Sequence, residues 1–156
     1  MTKTIAIAPV KKSVTVKASP ERAFEIFTAG MTRWWPATHT ILKVAPREHV
    51  IEPRVGGRWY ERGEDGSECD WGRVLLWEPP RRVVLAWQIN ARWTFDPSLV
   101  TELDVQFEAQ ADGSTEVSLE HRNLERFGAD AATLRESIGS EMGWGGLLGA
   151  FARAIG

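Results

Sequence analysis

Leu103, Val105 and Phe107 alternate with Glu102, Asp104, Gln106 and Glu108. Beyond the turn residues Asp112-Gly113-Ser114, Val117 and Leu119 alternate with Glu116, Ser118 and Glu120. A period-two pair of this kind is an antiparallel hairpin with one apolar and one wetted face. The apolar face requires a second layer to cover it. The long candidate is the C-terminus, where Leu134, Ile138, Met142, Leu148, Phe151 and Ile155 recur near helical spacing and predict a helix over about 129–154. That stretch also holds Gly139, Gly143, Gly145, Gly146 and Gly149. Each costs on the order of 0.5–1 kcal/mol relative to alanine inside a helix. They are expected where backbone, ligand or large rings come close, or where the helix kinks near Gly145-Gly146.

Upstream, Val14, Val16 and Ala18 alternate with polar neighbours and read as a first strand. Ser19-Pro20-Glu21 then supplies a capping hydroxyl, a proline suited to the first helical position and an acid for the positive helix end. Ala23, Phe24, Ile26 and Phe27 give the apolar face of a short helix over about 20–28. Residues 31–46, bracketed by Pro36 and Pro46, read as irregular with one helical turn. From about 47 to 122 short strands follow one another: 49–52, 58–62, 70–77, 83–89 and the hairpin, separated by turns such as Glu64-Asp65-Gly66-Ser67 and Pro79-Pro80. The pattern is a meander within one α+β domain over 1–156, with no repeat or linker.

Nineteen Lys plus Arg against twenty-one Asp plus Glu give a formal charge of −2, so no basic field exists to attract nucleic acid or an anionic membrane surface. No apolar run approaches a membrane span. The apolar stretch before Lys11-Lys12 is too short for a signal peptide and has its charges on the wrong side, so a cytoplasmic location is expected. The single cysteine, Cys69, excludes an internal disulfide. Eight tryptophans stand beside six phenylalanines and one tyrosine. Rings of that size either fill a core or line a concavity.

The order strand, short helix, meander and terminal helix resembles the helix-grip fold of the START-related (SRPBCC) superfamily, which includes polyketide cyclases. Ser19-Pro20-Glu21-Arg22-Ala23-Phe24, Trp34-Trp35-Pro36, Val55-Gly56-Gly57-Arg58-Trp59, Gly72-Arg73-Val74, Glu78-Pro79-Pro80, Trp87 and Gly143-Trp144 resemble, in that order and from about residue 12 to 153, the family of homologues of the activator of the Hsp90 ATPase. The resemblance implies a curved antiparallel sheet wrapped around a long C-terminal helix, two short helices after the first strand, and a cavity between sheet and terminal helix. It also places Trp59 and Trp144 inward and the loop carrying His39 near a cavity mouth. It brings two further expectations, a homodimer and a chaperone-related partner.

Within that frame the expected ligand-binding residues are Trp35, His39, Trp59, Trp71, Trp87, Phe107, His121 and Trp144. Trp87 shares its parity with Val83, Leu85 and Ile89. Trp71, Arg73, Leu75 and Trp77 occupy one parity of their strand and Val74 and Leu76 the other, and the pattern does not decide which faces inward. His121 shares the face of Leu119 and reads as a pocket-edge base or hydrogen-bonding group, against the commoner packed histidine at a strand end. Cys69 lies between two acids that raise its thiol pKa, which makes it a poor nucleophile. His39, His49 and Cys69 form no spaced ligand motif, so neither metal nor cofactor is expected. Val55-Gly56-Gly57 has no following helix and cannot form a phosphate loop. The function expected is binding of a small hydrophobic or aromatic molecule. The alternatives are a cyclase, hydrolase or lyase using His121 or His39 with an acid such as Glu61, and a co-chaperone-like interaction module.

Overall fold

A computed structural model describes residues 7–155. The reading of the first ten residues as lacking a leader therefore falls largely outside the described residues. Among the described residues seven strands form one antiparallel sheet in the order β1-β7-β6-β5-β4-β3-β2. They are β1 (Val10–Val16), β2 (Pro46–Ile51), β3 (Arg58–Gly63), β4 (Glu68–Glu78), β5 (Arg82–Trp87), β6 (Thr101–Ala109) and β7 (Thr115–Arg122). Every connection from β2 to β7 joins neighbours; only β1 crosses over, to pair with β7 from Val10↔His121 to Val16↔Thr115. The expected hairpin pairs Leu103↔His121, Val105↔Leu119 and Phe107↔Val117. All six of these side chains are buried. On the wetted face Asp104 is held between Arg82 (2.7 Å) and Arg122 (2.8 Å).

Helix α1 (Pro20–Phe27) starts as its sequence dictates, the Arg22 amide donating to Ser19 Oγ at 3.2 Å. Its apolar side packs Phe24 on Phe107 (5.2 Å between ring centroids) and Phe27 on Phe151 (5.3 Å). A single 3-10 turn, Met31–Arg33, follows. The terminal helical stretch is divided, where the sequence over about 129–154 allows either one helix or a kink near Gly145-Gly146. A 3-10 segment (Leu124–Asp130) leads into α2 (Ala131–Ile138), the chain turns over 139–143, and α3 (Trp144–Ile155) runs back over the sheet. The break lies ahead of Gly145-Gly146, at Gly143, where a Cβ would stand 2.1 Å from the Ile138 carbonyl oxygen. The glycine therefore permits the chain to fold tightly over the end of α2, and this turn sets Trp144 at the start of α3.

The parity of β4 is resolved by two β-bulges. One lies opposite Trp59/Tyr60, where Trp71 is the extra residue, and one lies between Val74 and Leu76. Each bulge shifts the alternation by one residue. Trp71, Val74 and Trp77 consequently all turn toward the core, while Arg73 and Leu75 are exposed. Between them Gly72 faces Trp59 on one side and Trp87 on the other. A Cβ at Gly72 would lie 1.6 Å from the Ala86 carbonyl oxygen. Gly72→Ala is therefore expected to cost more than about 3 kcal/mol by forcing β4 from β5, whereas exposed Arg73→Ala changes stability by less than about 0.5 kcal/mol. Urea unfolding of the two variants checks this contrast.

Candidate functional site

Four indoles from four parts of the chain form a closed circuit. Trp35, after the 3-10 turn, meets Trp71 of β4 at 5.0 Å; Trp71 meets Trp87 of β5 at 6.4 Å; Trp87 meets Trp144 of α3 at 5.8 Å; and Trp144 returns to Trp35 at 6.0 Å. Tilted and edge-to-face pairs at such separations are each worth about 0.5–1.5 kcal/mol beyond the area they bury. Together these rings wall a cavity of about 390 Å³. Ile41, Ile89, Ile138 and Leu147 add aliphatic surface, Thr38, His39, Thr40 and Ser137 add polar atoms, and Trp93 and Met142 stand at its rim. Among the described residues no charged side chain lines it.

Of the residues singled out in the sequence, Trp35, His39, Trp71, Trp87 and Trp144 meet at this cavity and the other three do not line it. Trp59 is fully buried behind the circuit, 5.5 Å from Trp71 and 5.6 Å from Trp87. Phe107 belongs to a cluster with Phe24, Phe27 and Phe151 that packs beneath α1 and α3. The indole-walled hollow lies next to the α2–α3 turn, whose Ser137, Ile138, Met142 and Gly143 line it. His121 lies inside the core, not at a pocket edge. Ile41, Ile89, Trp93, Ile138, Met142 and Leu147 also line the cavity without being singled out as site residues, because periodicity marks a buried face and does not distinguish a cavity wall from packed core.

Three of the four wall indoles have hydrogen-bonded N–H groups. Trp35 Nε1 donates to the His39 carbonyl (2.7 Å), Trp71 Nε1 to Glu61 Oε1 (3.1 Å) and Trp144 Nε1 to His121 Nδ1 (3.1 Å). Because His121 Nδ1 accepts, the ring proton sits on Nε2, which donates to Thr101 Oγ1 (2.8 Å); the Thr101 hydroxyl then donates to the Trp87 carbonyl (3.0 Å). This chain fixes two cavity walls through one neutral histidine. Glu61 acts in a similar way. Its Oε1 also accepts from the Ile41 (2.6 Å) and Leu42 (3.0 Å) amides and so ties the 38–42 loop to Trp71. Across β2 and β3 His49 pairs with Glu61. His49 Nε2, Glu61 Oε2 and Trp59 Nε1 are buried with no partner among the described residues.

His39 clasps the two loops at the mouth. Its Nε2–H donates to the Met142 carbonyl (2.8 Å), and its Nδ1 shares a hydrogen bond with the Thr38 hydroxyl (3.0 Å). Both ring nitrogens are therefore engaged. Burial raises the Cys69 thiol pKa, and Glu61 and Asp70 add to the rise. Among the described residues no cluster of His, Cys, Asp and Glu is arranged to hold a metal ion. No helix of the described residues is long and apolar enough to cross a membrane.

Burial lowers the pKa of His49 to about 4 and of His121 to about 3. Between those values and the ordinary histidine range the unfolded chain binds protons that the folded chain refuses, so stability rises with pH across this window and is lost on acidification. Each histidine contributes a slope of up to about 1.4 kcal/mol per pH unit. Urea unfolding between pH 7 and pH 4 is expected to show this fall, and His49→Gln is expected to make it shallower.

Residues 17–156 match the family model described as Activator of Hsp90 ATPase homolog 1-like protein. No curated protein sequence matches the chain. Among solved structures it is similar to Txn09, described as an anthrahydroquino-γ-pyrone synthase, at 38% identity, with 96% of this chain and 98% of that chain covered and a TM-score of 0.67. It is likewise similar to CalC, a self-sacrificing resistance protein from Micromonospora echinospora, at 34% identity, with 95% and 94% covered and a TM-score of 0.71. An Aha1 dimer from Colwellia psychrerythraea, 19% identical with 96% of each chain covered and a TM-score of 0.62, shares the fold. Matched in sequence over residues 17–156 and in fold almost from end to end, the chain belongs to the Activator of Hsp90 ATPase homolog 1-like family of the START-related (SRPBCC) superfamily.

Proposed function

We propose that the protein binds a flat, uncharged, fused-ring aromatic molecule in the tryptophan-walled cavity. The observation that carries this reading is a hollow of about 390 Å³ lined by indole faces and edges and, among the described residues, by no charged side chain. Its volume falls in the range of small-molecule sites, about 300–1,000 Å³. A charged ligand would lose its hydration there without a counter-charge to replace it. Three wall indoles have committed their only donor elsewhere, so they offer carbon surface, which suits stacking on an aromatic ring system. The name of Txn09, a synthase of an anthrahydroquino-γ-pyrone, supports a ligand of this class.

Catalysis by a histidine and an acid has less support. His121 is inside the core, His39 has both nitrogens engaged, and Glu61 holds the 38–42 loop from behind Trp71. A homodimer and a chaperone-related partner do not enter the proposal, because the neighbour described as an Aha1 dimer is 19% identical and speaks for the fold alone.

Titration of the protein with 1,8-dihydroxyanthraquinone, followed by tryptophan quenching and native mass spectrometry, is expected to give a saturable one-to-one complex. Palmitate is expected to bind at least tenfold more weakly. Ile41→Trp, which fills the cavity from its loop side, is expected to reduce quinone affinity at least tenfold with an unchanged melting temperature. Equal binding of palmitate, or full affinity in the filled variant, contradicts the proposal.

A further inference from the structure

Among the described residues Trp93 is the one cavity-lining tryptophan that is not buried, with 53% of its surface exposed, while Trp35, Trp71, Trp87 and Trp144 are 1–7% exposed. It also sits at φ 57°, in the left-handed region. A side chain carried on a Cβ is strained there, and a bulky aromatic one is an outlier; glycine or asparagine would hold the same turn at less cost. The surrounding turn enforces the conformation. Asn90 Oδ1 accepts from the Arg92 (2.9 Å) and Thr94 (3.1 Å) amides, the Asn90 carbonyl accepts from the Trp93 amide (3.0 Å), and Ile89 bridges Phe95. A stiff hairpin thus extends β5 past the end of the sheet and holds an indole in a strained position where it leaves much of its ring in water. Neither the fold nor the circuit of four buried indoles needs that ring. Met142, 76% exposed, lies on the rim of the same cavity, on the α2–α3 turn that His39 fastens.

Strain of this kind persists where the surrounding structure over-determines it, and it gathers at binding sites. We infer that Trp93 is a specificity-determining residue whose exposed indole covers the part of a planar aromatic ligand that projects from the cavity, with Met142 as the soft apolar contact beside it. The inference rests on the aromatic-ligand reading above and adds a length requirement. A three-ring ligand reaches past the buried circuit to the rim, and a single-ring ligand does not. The contact would remove apolar ring surface from water only in the complex, so it acts on dissociation more than on folding. Met142 suits the same role, because its flexible thioether adapts to ligands of different outline.

Trp93→Gly separates binding from folding, since glycine relieves the left-handed strain. It is expected to leave the melting temperature unchanged or higher while weakening 1,8-dihydroxyanthraquinone at least tenfold, mainly through faster dissociation in stopped-flow. Phenol, as a single-ring probe, is expected to bind the variant and the parent protein equally. Trp93→Phe is expected to retain most of the quinone affinity, and Leu75→Ala, on the exposed outer face, all of it. In the parent protein the quinone is expected to protect one tryptophan from acrylamide quenching, and in Trp93→Phe that protection is expected to vanish. Unchanged quinone affinity in Trp93→Gly, or a fall in its melting temperature alongside lost affinity, overturns the inference while leaving the cavity reading intact. Failure of the parent protein to bind the quinone overturns both.

Discussion

A tryptophan that walls a cavity with its N–H turned into the protein needs a partner for that N–H. Burying an amide-like donor without a partner costs about 1–3 kcal/mol, comparable with what one indole gains from its ring contacts. Trp35, Trp71 and Trp144 meet this constraint with the His39 carbonyl, the Glu61 carboxylate and His121 Nδ1, each placed behind or beside the wall. Much of the local architecture follows. Glu61 fixes the 38–42 loop as well as Trp71, and His121 passes the hydrogen-bond chain through Thr101 to the strand that carries Trp87. Polar residues whose chemical type suggests catalysis are thereby committed to holding an apolar surface.

The same constraint explains why the helical lid is divided. A continuous helix would carry Trp144 at a position set by helical pitch alone. The turn at Gly143 frees that position, so that Trp144 reaches both Trp87 and Trp35 while its N–H meets β7. His39 joins this turn to the loop beyond Trp35 and closes one side of the mouth. The phenylalanine cluster of Phe24, Phe27, Phe107 and Phe151 packs under α1 and α3, and none of its rings lines the indole-walled cavity.

The alternation of β6 and β7, the cap at Ser19 and the turn residues make the sheet, α1 and the need for a terminal cover legible in the sequence. Their causes are local and act within a few residues. The face of Trp71 is not legible there, because two bulges decide it and neither leaves a mark in the alternation of β4 itself. The break before Trp144 shows in the sequence only as a surplus of glycine, since the close approach to Ile138 is a tertiary event. For the cavity, the residues expected from the sequence include five wall residues, but they also include Trp59, Phe107 and His121, which face inward without reaching the hollow. Inward orientation is a property of a strand. Lining a cavity depends on what the neighbouring elements leave unfilled.

If the wall indoles present carbon to the ligand because their N–H groups are bonded elsewhere, side-chain indole ¹H–¹⁵N spectra with and without bound 1,8-dihydroxyanthraquinone must show it. The Trp71 and Trp144 N–H signals should exchange slowly with solvent in the free protein, and in the complex they should keep their hydrogen-bonded shifts while the ring C–H signals move. Rapid exchange in the free protein, or N–H signals that change partner when the quinone binds, would mean that the walls recognise their ligand through polar contacts instead.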